Sequence, residues 1–123
     1  KTVTISPYDP STLKAMERAI LASDIGITPV NDGKVIRLVF PQPTEERRKE
    51  LVKQVQKLGE VAKIAVRNIR RDANDICKKM KKDSEMTEDE QKASEKAVQD
   101  LTDKYIKVVD DVVAKKSKEI MAI

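Results

Sequence analysis

Histidine is absent from this chain, tryptophan with it, and aromatic residues fill only 2% of its 123 positions. Without histidine, the side chain that most often carries protons near neutral pH, acid–base chemistry would fall to carboxylates or lysines. The clearest carboxylate neighbours, Asp110 and Asp111, are adjacent in sequence, and adjacent helical residues do not face each other. The three glycines form no phosphate-cradling loop, and the single cysteine, Cys77, can neither close an internal disulfide nor build a Cys/His zinc set. Beside Ile76 it reads as packing. No apolar run approaches the roughly 18 residues of a membrane span, and no signal or transit peptide is visible. These absences speak against an enzyme, a metal or a cofactor, and one unpaired cysteine fits the reducing cytoplasm. So few aromatics also leave little material for a large globular core, so an elongated architecture is expected.

Charge is what the chain has in abundance, at 37% of residues. The net charge of +4 conceals a division along the sequence. From Thr44 to Lys82 there are 13 Lys+Arg against 6 Asp+Glu, and from Ser84 to Ile123 there are 7 against 10. One arm is therefore basic and the other acidic, an asymmetry that suits an oriented surface for a polyanion.

The first 43 residues read as pieces of a small α/β unit. The chain begins on Lys1 without an initiator Met and enters at once the alternation Thr2-Val3-Thr4-Ile5, so its start is expected to lie inside a fold. Asp9 is a helix cap with Pro10 at the first helical position, Leu13, Met16, Ala19 and Ile20 form the buried stripe, and Gly26 lies beyond the end. The turn signal Asn31-Asp32-Gly33 precedes a second strand, Val35 to Phe40. Two strands and one helix cannot cover a sheet face, so this half is expected to lack partners.

Pro41-Gln42-Pro43 breaks any strand and is the best boundary in the chain. Thr44 caps the next helix, with Glu45 and Glu46 in its first turn. Leu51, Val55, Leu58, Ala62, Ala65, Ile69, Ile76 and Met80 then recur at helical spacing as its seam. Gly59 is tolerable within so long a helix at a cost of about 1 kcal/mol relative to Ala. Lys82 to Met86 reads as a turn, and Thr87 with Glu90 as a capping box opening a second helix. The seam of that helix is Ala97, Leu101, Tyr105, Val108 and Val112, widened by Val98, Val109 and Val113. Two apolar columns are more than one partner covers, so a third helix, absent from this sequence, is expected.

With the first helix's seam set at 0° and about 100° per residue, Lys63, Arg67, Arg70, Arg71, Asn74, Lys78 and Lys81 fall in a band near 180°. That row is long enough to follow several phosphates, and arginine can grip a phosphate with two hydrogen bonds. On pattern alone it could equally be the solvated face of a long helix.

Four segments occur in order along the chain: ASDIGITP (Ala22 to Pro29), TEERRKEL (Thr44 to Leu51), VRNIRRDAND (Val66 to Asp75) and the turn Met86-Thr87-Glu88-Asp89-Glu90. In that order and spacing they resemble the bacterial ribosome recycling factors. The resemblance implies an α+β protein, L-shaped, in which two linkers join a long three-helix bundle to a small α/β domain. This chain would then hold the C-terminal two thirds. The bundle's first helix, an RTGRA-type arginine segment, one linker and the early strands of the small domain would be missing. Residues 1–40 would be the remainder of the small domain, residues 41–43 the linker, and residues 44–123 two antiparallel bundle helices, about 44–83 and 87–122.

In function, the resemblance implies a cytoplasmic, non-enzymatic translation factor. It would bind large-subunit rRNA in the post-termination ribosome and, with elongation factor G, split the subunits for reuse. Arg67, Arg70 and Arg71 match the family's RNA-contacting arginines, with Arg70 foremost. Lys63, Asn74 and Lys78 extend the row, and Pro41, Gln42 and Pro43 match a hinge. The alternative is a structural helical module that binds protein partners through its uncovered seam, and self-association or pairing with the missing N-terminal segment is expected of that seam.

Overall fold

A computed structural model describes residues 1–123, which divide into two compact units, Lys1–Gln42 and Pro43–Ile123. In the first unit β1 (Thr2–Ile5), β2 (Val30–Asn31) and β3 (Ile36–Val39) form an antiparallel sheet in the order β1-β3-β2, with Thr2 opposite Val39 and Ile5 opposite Ile36. β2 is a two-residue strand beyond the two expected. Asn31, read as turn, pairs with Ile36, the Asp32 N–H donates to the Val35 carbonyl at 3.2 Å, and the reversal falls on Gly33-Lys34. The Asp32 carboxylate accepts from the backbone N–H groups of Lys34 (2.9 Å) and Val35 (2.8 Å), and Gly33 takes φ +88°, a left-handed value that favours glycine.

One turn of 3-10 helix, Pro10–Thr12, leads into α1 (Leu13–Ala22). The Asp9 carboxylate caps it by accepting from the Ser11 N–H at 2.9 Å. Leu13, Ile36 and Leu38 form the buried core, with Ile5, Met16, Ile20 and Ile27 packed around them. Ala19 is exposed rather than part of that stripe. Glu17 is half-buried in its stead and accepts from Asn31 at 3.2 Å.

The second unit is a hairpin of α2 (Glu45–Lys82) and α3 (Glu88–Met121). At about 1.5 Å per residue, α2 runs unbroken for roughly 57 Å. The Thr44 hydroxyl accepts from the Arg47 N–H at 3.1 Å, and at α3 the Thr87–Glu90 capping box closes in both directions, at 2.8 and 3.2 Å. Between them Ser84 adopts φ 59° and the Glu85 N–H donates to the Met80 carbonyl at 2.8 Å, a six-to-one closure of the α2 C-terminus. The helices run antiparallel. Arg48 donates to the carbonyl of Met121 (3.3 Å) and to the oxygen of Ile123, while Lys63 reaches Asp110 and Arg70 reaches Gln99 nearer the turn.

Their contact line keeps Val55, Ala62 and Met80 of the expected α2 seam and otherwise departs from the expectation. On α2 it follows Val52, Val55, Gly59, Ala62, Val66, Ala73, Cys77 and Met80, and on α3 Val98, Thr102, Ile106, Val109, Val113 and Ile120. Leu58, Ile69 and Ile76, three large members of the expected α2 seam, are 69%, 68% and 60% exposed, and Ala65 is exposed as well. The reason is at Gly59: a Cβ built there would lie 2.6 Å from Val113 Cγ2. Small residues let the backbones approach, so the helices meet along Gly59, Ala62, Ala73 and Cys77 and turn their bulkier apolar residues to one side. Leu101, Tyr105, Val108 and Val112 on α3 are likewise exposed, so the widening column of the sequence is the true contact and the expected seam is the open one. Ile69, Leu101 and Tyr105 line a groove of about 370 Å³ on this side.

Candidate nucleic-acid interface

Shifting the contact line shifts the basic band with it. Taken from Gly59 at about 100° per residue, Lys63, Arg67, Arg70, Arg71, Asn74, Lys78 and Lys81 lie between roughly 20° and 120°. They flank the contact line, on the side away from the exposed Leu58–Ile69–Ile76 column, instead of standing opposite the packed face. Neighbouring α3 can therefore reach some of them, and it sorts the row into three kinds.

Lys63 is neutralised. Its side chain is only 15% exposed, and its ammonium pairs with Glu60 at 2.7 Å and with Asp110 of α3 at 3.0 Å. Glu60 first and Asp110 second hold its pKa above the usual lysine value. This is an internal clamp between the helices, which corrects the expectation of a free cation at this position. Asn74 also turns inward. It is half-buried, and its side-chain oxygen is enclosed without a hydrogen-bond partner.

Arg70 is held. Its stem borders the groove beside Val66, Ala73 and Thr102, and its Nη1 donates to Gln99 Oε1 at 3.4 Å. Gln99 Nε2 in turn donates to Asp103 Oδ1 at 2.8 Å. Gln99, Asp103 and Asp110 carry no signal in sequence for these contacts. Gln99 and Asp103 stand four apart on α3, and their meeting with Arg70 depends on the helix register.

Arg67, Arg71, Lys78 and Lys81 are exposed. Arg71 makes one hydrogen bond, to Asn68 on its own helix at 3.3 Å. None of these four, nor Arg70, forms an ion pair, whereas several exposed cations elsewhere on the hairpin find partners one turn away: Arg47–Glu50, Lys49–Glu45, Lys92–Glu88, Lys96–Asp100 and Lys116–Glu119. Arg67 and Arg71 sit four residues apart with like charge, an arrangement that costs an isolated helix a few tenths of a kcal/mol. Five uncompensated cations along about 21 Å of helix make a ridge with the reach and chemistry to track a phosphate backbone.

A family model described as Ribosome recycling factor matches residues 1–121. The chain belongs to the ribosome recycling factor family. It is 56% identical over 123 residues to the ribosome-recycling factor of Lachnoclostridium phytofermentans, covering all of this chain and 67% of that protein. To the ribosome-recycling factor of Geobacillus thermodenitrificans it is 57% identical, with 100% and 66% covered. The chain thus spans about two thirds of the length of the relatives it matches. Among solved structures, a ribosome recycling factor determined in solution is similar with a TM-score of 0.70 and 37% identity, over 99% of this chain and 64% of that one. The T. thermophilus ribosome recycling factor, placed with E. coli elongation factor G on the E. coli post-termination complex, is similar with a TM-score of 0.60 and 40% identity, over 98% and 65%. Long antiparallel helices with a small three-stranded sheet are the α+β architecture expected of this family.

Pro41, Gln42 and Pro43 lie outside any helix or strand, and the division between the two units falls after Gln42. No helix is long and apolar enough to cross a membrane.

Proposed function

We propose that this chain is a cytoplasmic, non-enzymatic translation factor. It binds the post-termination ribosome by laying the α2 ridge along large-subunit rRNA and, with elongation factor G, promotes separation of the subunits. The observation that carries this reading is the alignment along one side of α2 of five cations without carboxylate partners, three of them arginines. Arg67, Arg70, Arg71 and Lys78 supply the phosphate contacts, Lys81 extends them, and Asn74 lies within the row. Lys63 supports the scaffold. Pro41 to Pro43 act as the joint between the two units. No bond is made or broken by this chain and no cofactor is required.

The test is binding to purified bacterial large ribosomal subunits across a salt series. Five cations released onto phosphates, at about 0.7–0.9 each, predict a log–log slope of about −3.5 to −4.5. Arg70→Ala should weaken binding and lower that slope by nearly one. In parallel it should slow separation of post-termination ribosomes by elongation factor G and GTP. Undiminished binding by Arg70→Ala, with the slope unchanged, would overturn the reading.

A second reading is favoured by the exposed Ile69, Leu101 and Tyr105, which suit a protein partner or a second copy of the chain. Under that reading Leu101→Ser abolishes association and Arg70→Ala leaves it intact.

A further inference from the structure

The arginines of the ridge are presented differently, and the difference lies on α3. Arg67 makes no side-chain hydrogen bond, and Arg71 bonds only to Asn68 on its own helix. Arg70 alone among them is anchored from the second helix, through Gln99 Oε1. The Gln99 amide is itself fixed. Asp103 carries an acceptor-only carboxylate, so the NH₂ end of the amide must face it, at 2.8 Å, and the carbonyl end is left for the guanidinium.

We propose that Gln99 is a positioning residue for Arg70, orienting its guanidinium for an RNA phosphate. The inference rests on the RNA-binding reading above and names a residue that acts through Arg70 without touching RNA. A guanidinium has five N–H donors, and Gln99 occupies one on Nη1. The edge formed by Nε and Nη2 stays free for the two-pronged grip that a phosphate takes. The rotamer freedom that an exposed arginine surrenders on binding is already given up on folding, because the stem rests along the groove and the tip on the amide.

The chemistry of the anchor matters as much as its position. A carboxylate at this point would neutralise the guanidinium, as Glu60 and Asp110 neutralise Lys63. An amide holds the side chain and leaves its charge whole.

The experiment uses the full chain with Gln99→Ala, and Gln99→Met as a second variant that keeps the stem and lacks both amide ends. In the free protein, side-chain ¹⁵N NMR should show hindered rotation of the Arg70 guanidinium that is lost in both variants, while the Arg67 signal is unchanged. Binding to purified large ribosomal subunits should weaken about two- to fivefold, the worth of one modest hydrogen bond, with the salt slope preserved because no charge was removed. In an Arg70→Ala background, Gln99→Ala should have no further effect. A Gln99→Ala loss of equal size with and without Arg70, or an Arg70 NMR signal indifferent to Gln99, would overturn the proposal. If Arg70→Ala itself left binding unchanged, the RNA reading would fall, and the NMR result would still say separately whether Gln99 holds Arg70.

Discussion

Replacing Gly59 by Ala should destabilise the hairpin, although Ala is the better helix former. On propensity alone the change favours the helix by about 1 kcal/mol. Against this stands the approach of α3: the new methyl would lie 2.6 Å from Val113 Cγ2 and 3.7 Å from its Cβ. Val113 cannot simply turn the methyl aside, because a β-branched side chain in a helix has one strongly preferred χ1 rotamer. Relief must come from an off-rotamer valine or from helices pushed apart, and overpacking of this kind costs about 1–3 kcal/mol. The net effect is a loss of up to about 2 kcal/mol. At roughly 4 °C per kcal/mol for a domain of this size, Tm falls by up to about 8 °C. Thermal unfolding followed by circular dichroism measures it, and the double variant Gly59→Ala/Val113→Ala supplies the control. With the valine methyls gone, the two substitutions should couple favourably by about 0.5–3 kcal/mol. A Gly59→Ala protein that melts higher than the parent, as an exposed Gly→Ala change would make it, refutes the argument that the contact line is set by close approach at this residue.

Ser84→Gly should raise stability by about 0.5–1 kcal/mol, because Ser84 holds a left-handed φ of 59° that a side chain disfavours and glycine does not; thermal unfolding checks it, and no gain would mean that Ser84 is not strained. Lys63→Met should lower the thermal stability of the hairpin and leave the salt slope of large-subunit binding unchanged, and a reduced slope would return Lys63 to the RNA-facing set. Since Glu60 and Asp110 raise the pKa of Lys63 above 10.5, its contribution is complete below that pH and is lost as pH climbs through the raised value. Asp32 behaves with the opposite sign: N–H donation from Val35 and then Lys34, with Arg37 close by, holds its carboxyl below 3.8. The stability it lends to the small unit is present above that value and disappears as pH falls through the lowered one. Asp32→Asn should therefore flatten the acid limb of unfolding, and a carboxyl ¹³C titration of Asp32 with an ordinary midpoint would contradict it.

The elements of the fold were legible because each carries its own local chemistry. Thr44, Thr87 with Glu90, and Asp9 with Pro10 mark helix starts by satisfying backbone N–H groups that no helix can satisfy itself, and that mechanism does not depend on tertiary context. The small strand β2 was not legible, since two residues show no alternation and Asn31 reads as turn in isolation. The packed face of each long helix was misassigned for a different reason. Periodicity locates apolar columns, but α2 and α3 each carry two, and the expected α2 seam took in Leu58, Ile69 and Ile76 beside Ala62 and left out Gly59, Ala73 and Cys77. Close backbone approach rewards the smaller set, and no pattern within one helix reports how near its partner comes.

That same choice of contact line governs the basic ridge. Had the helices met along Leu58, Ile69 and Ile76, the arginines would have pointed away from α3, every cation of the row would have been equally mobile, and the ridge would have been no more than a solvated surface. Meeting along the small residues turns the band some way toward α3, within reach of Asp110, Gln99 and Asp103. One cation is consequently spent as a clamp, one is held ready by an uncharged amide, and the rest stay free. Gly59 is thus coupled to Arg70 although eleven residues, about 16 Å of helix, separate them. A side chain at Gly59 that drives the helices apart should also loosen the Gln99 contact. The hindered rotation of the Arg70 guanidinium should then weaken in Gly59→Ala, before any change in the ridge's charge.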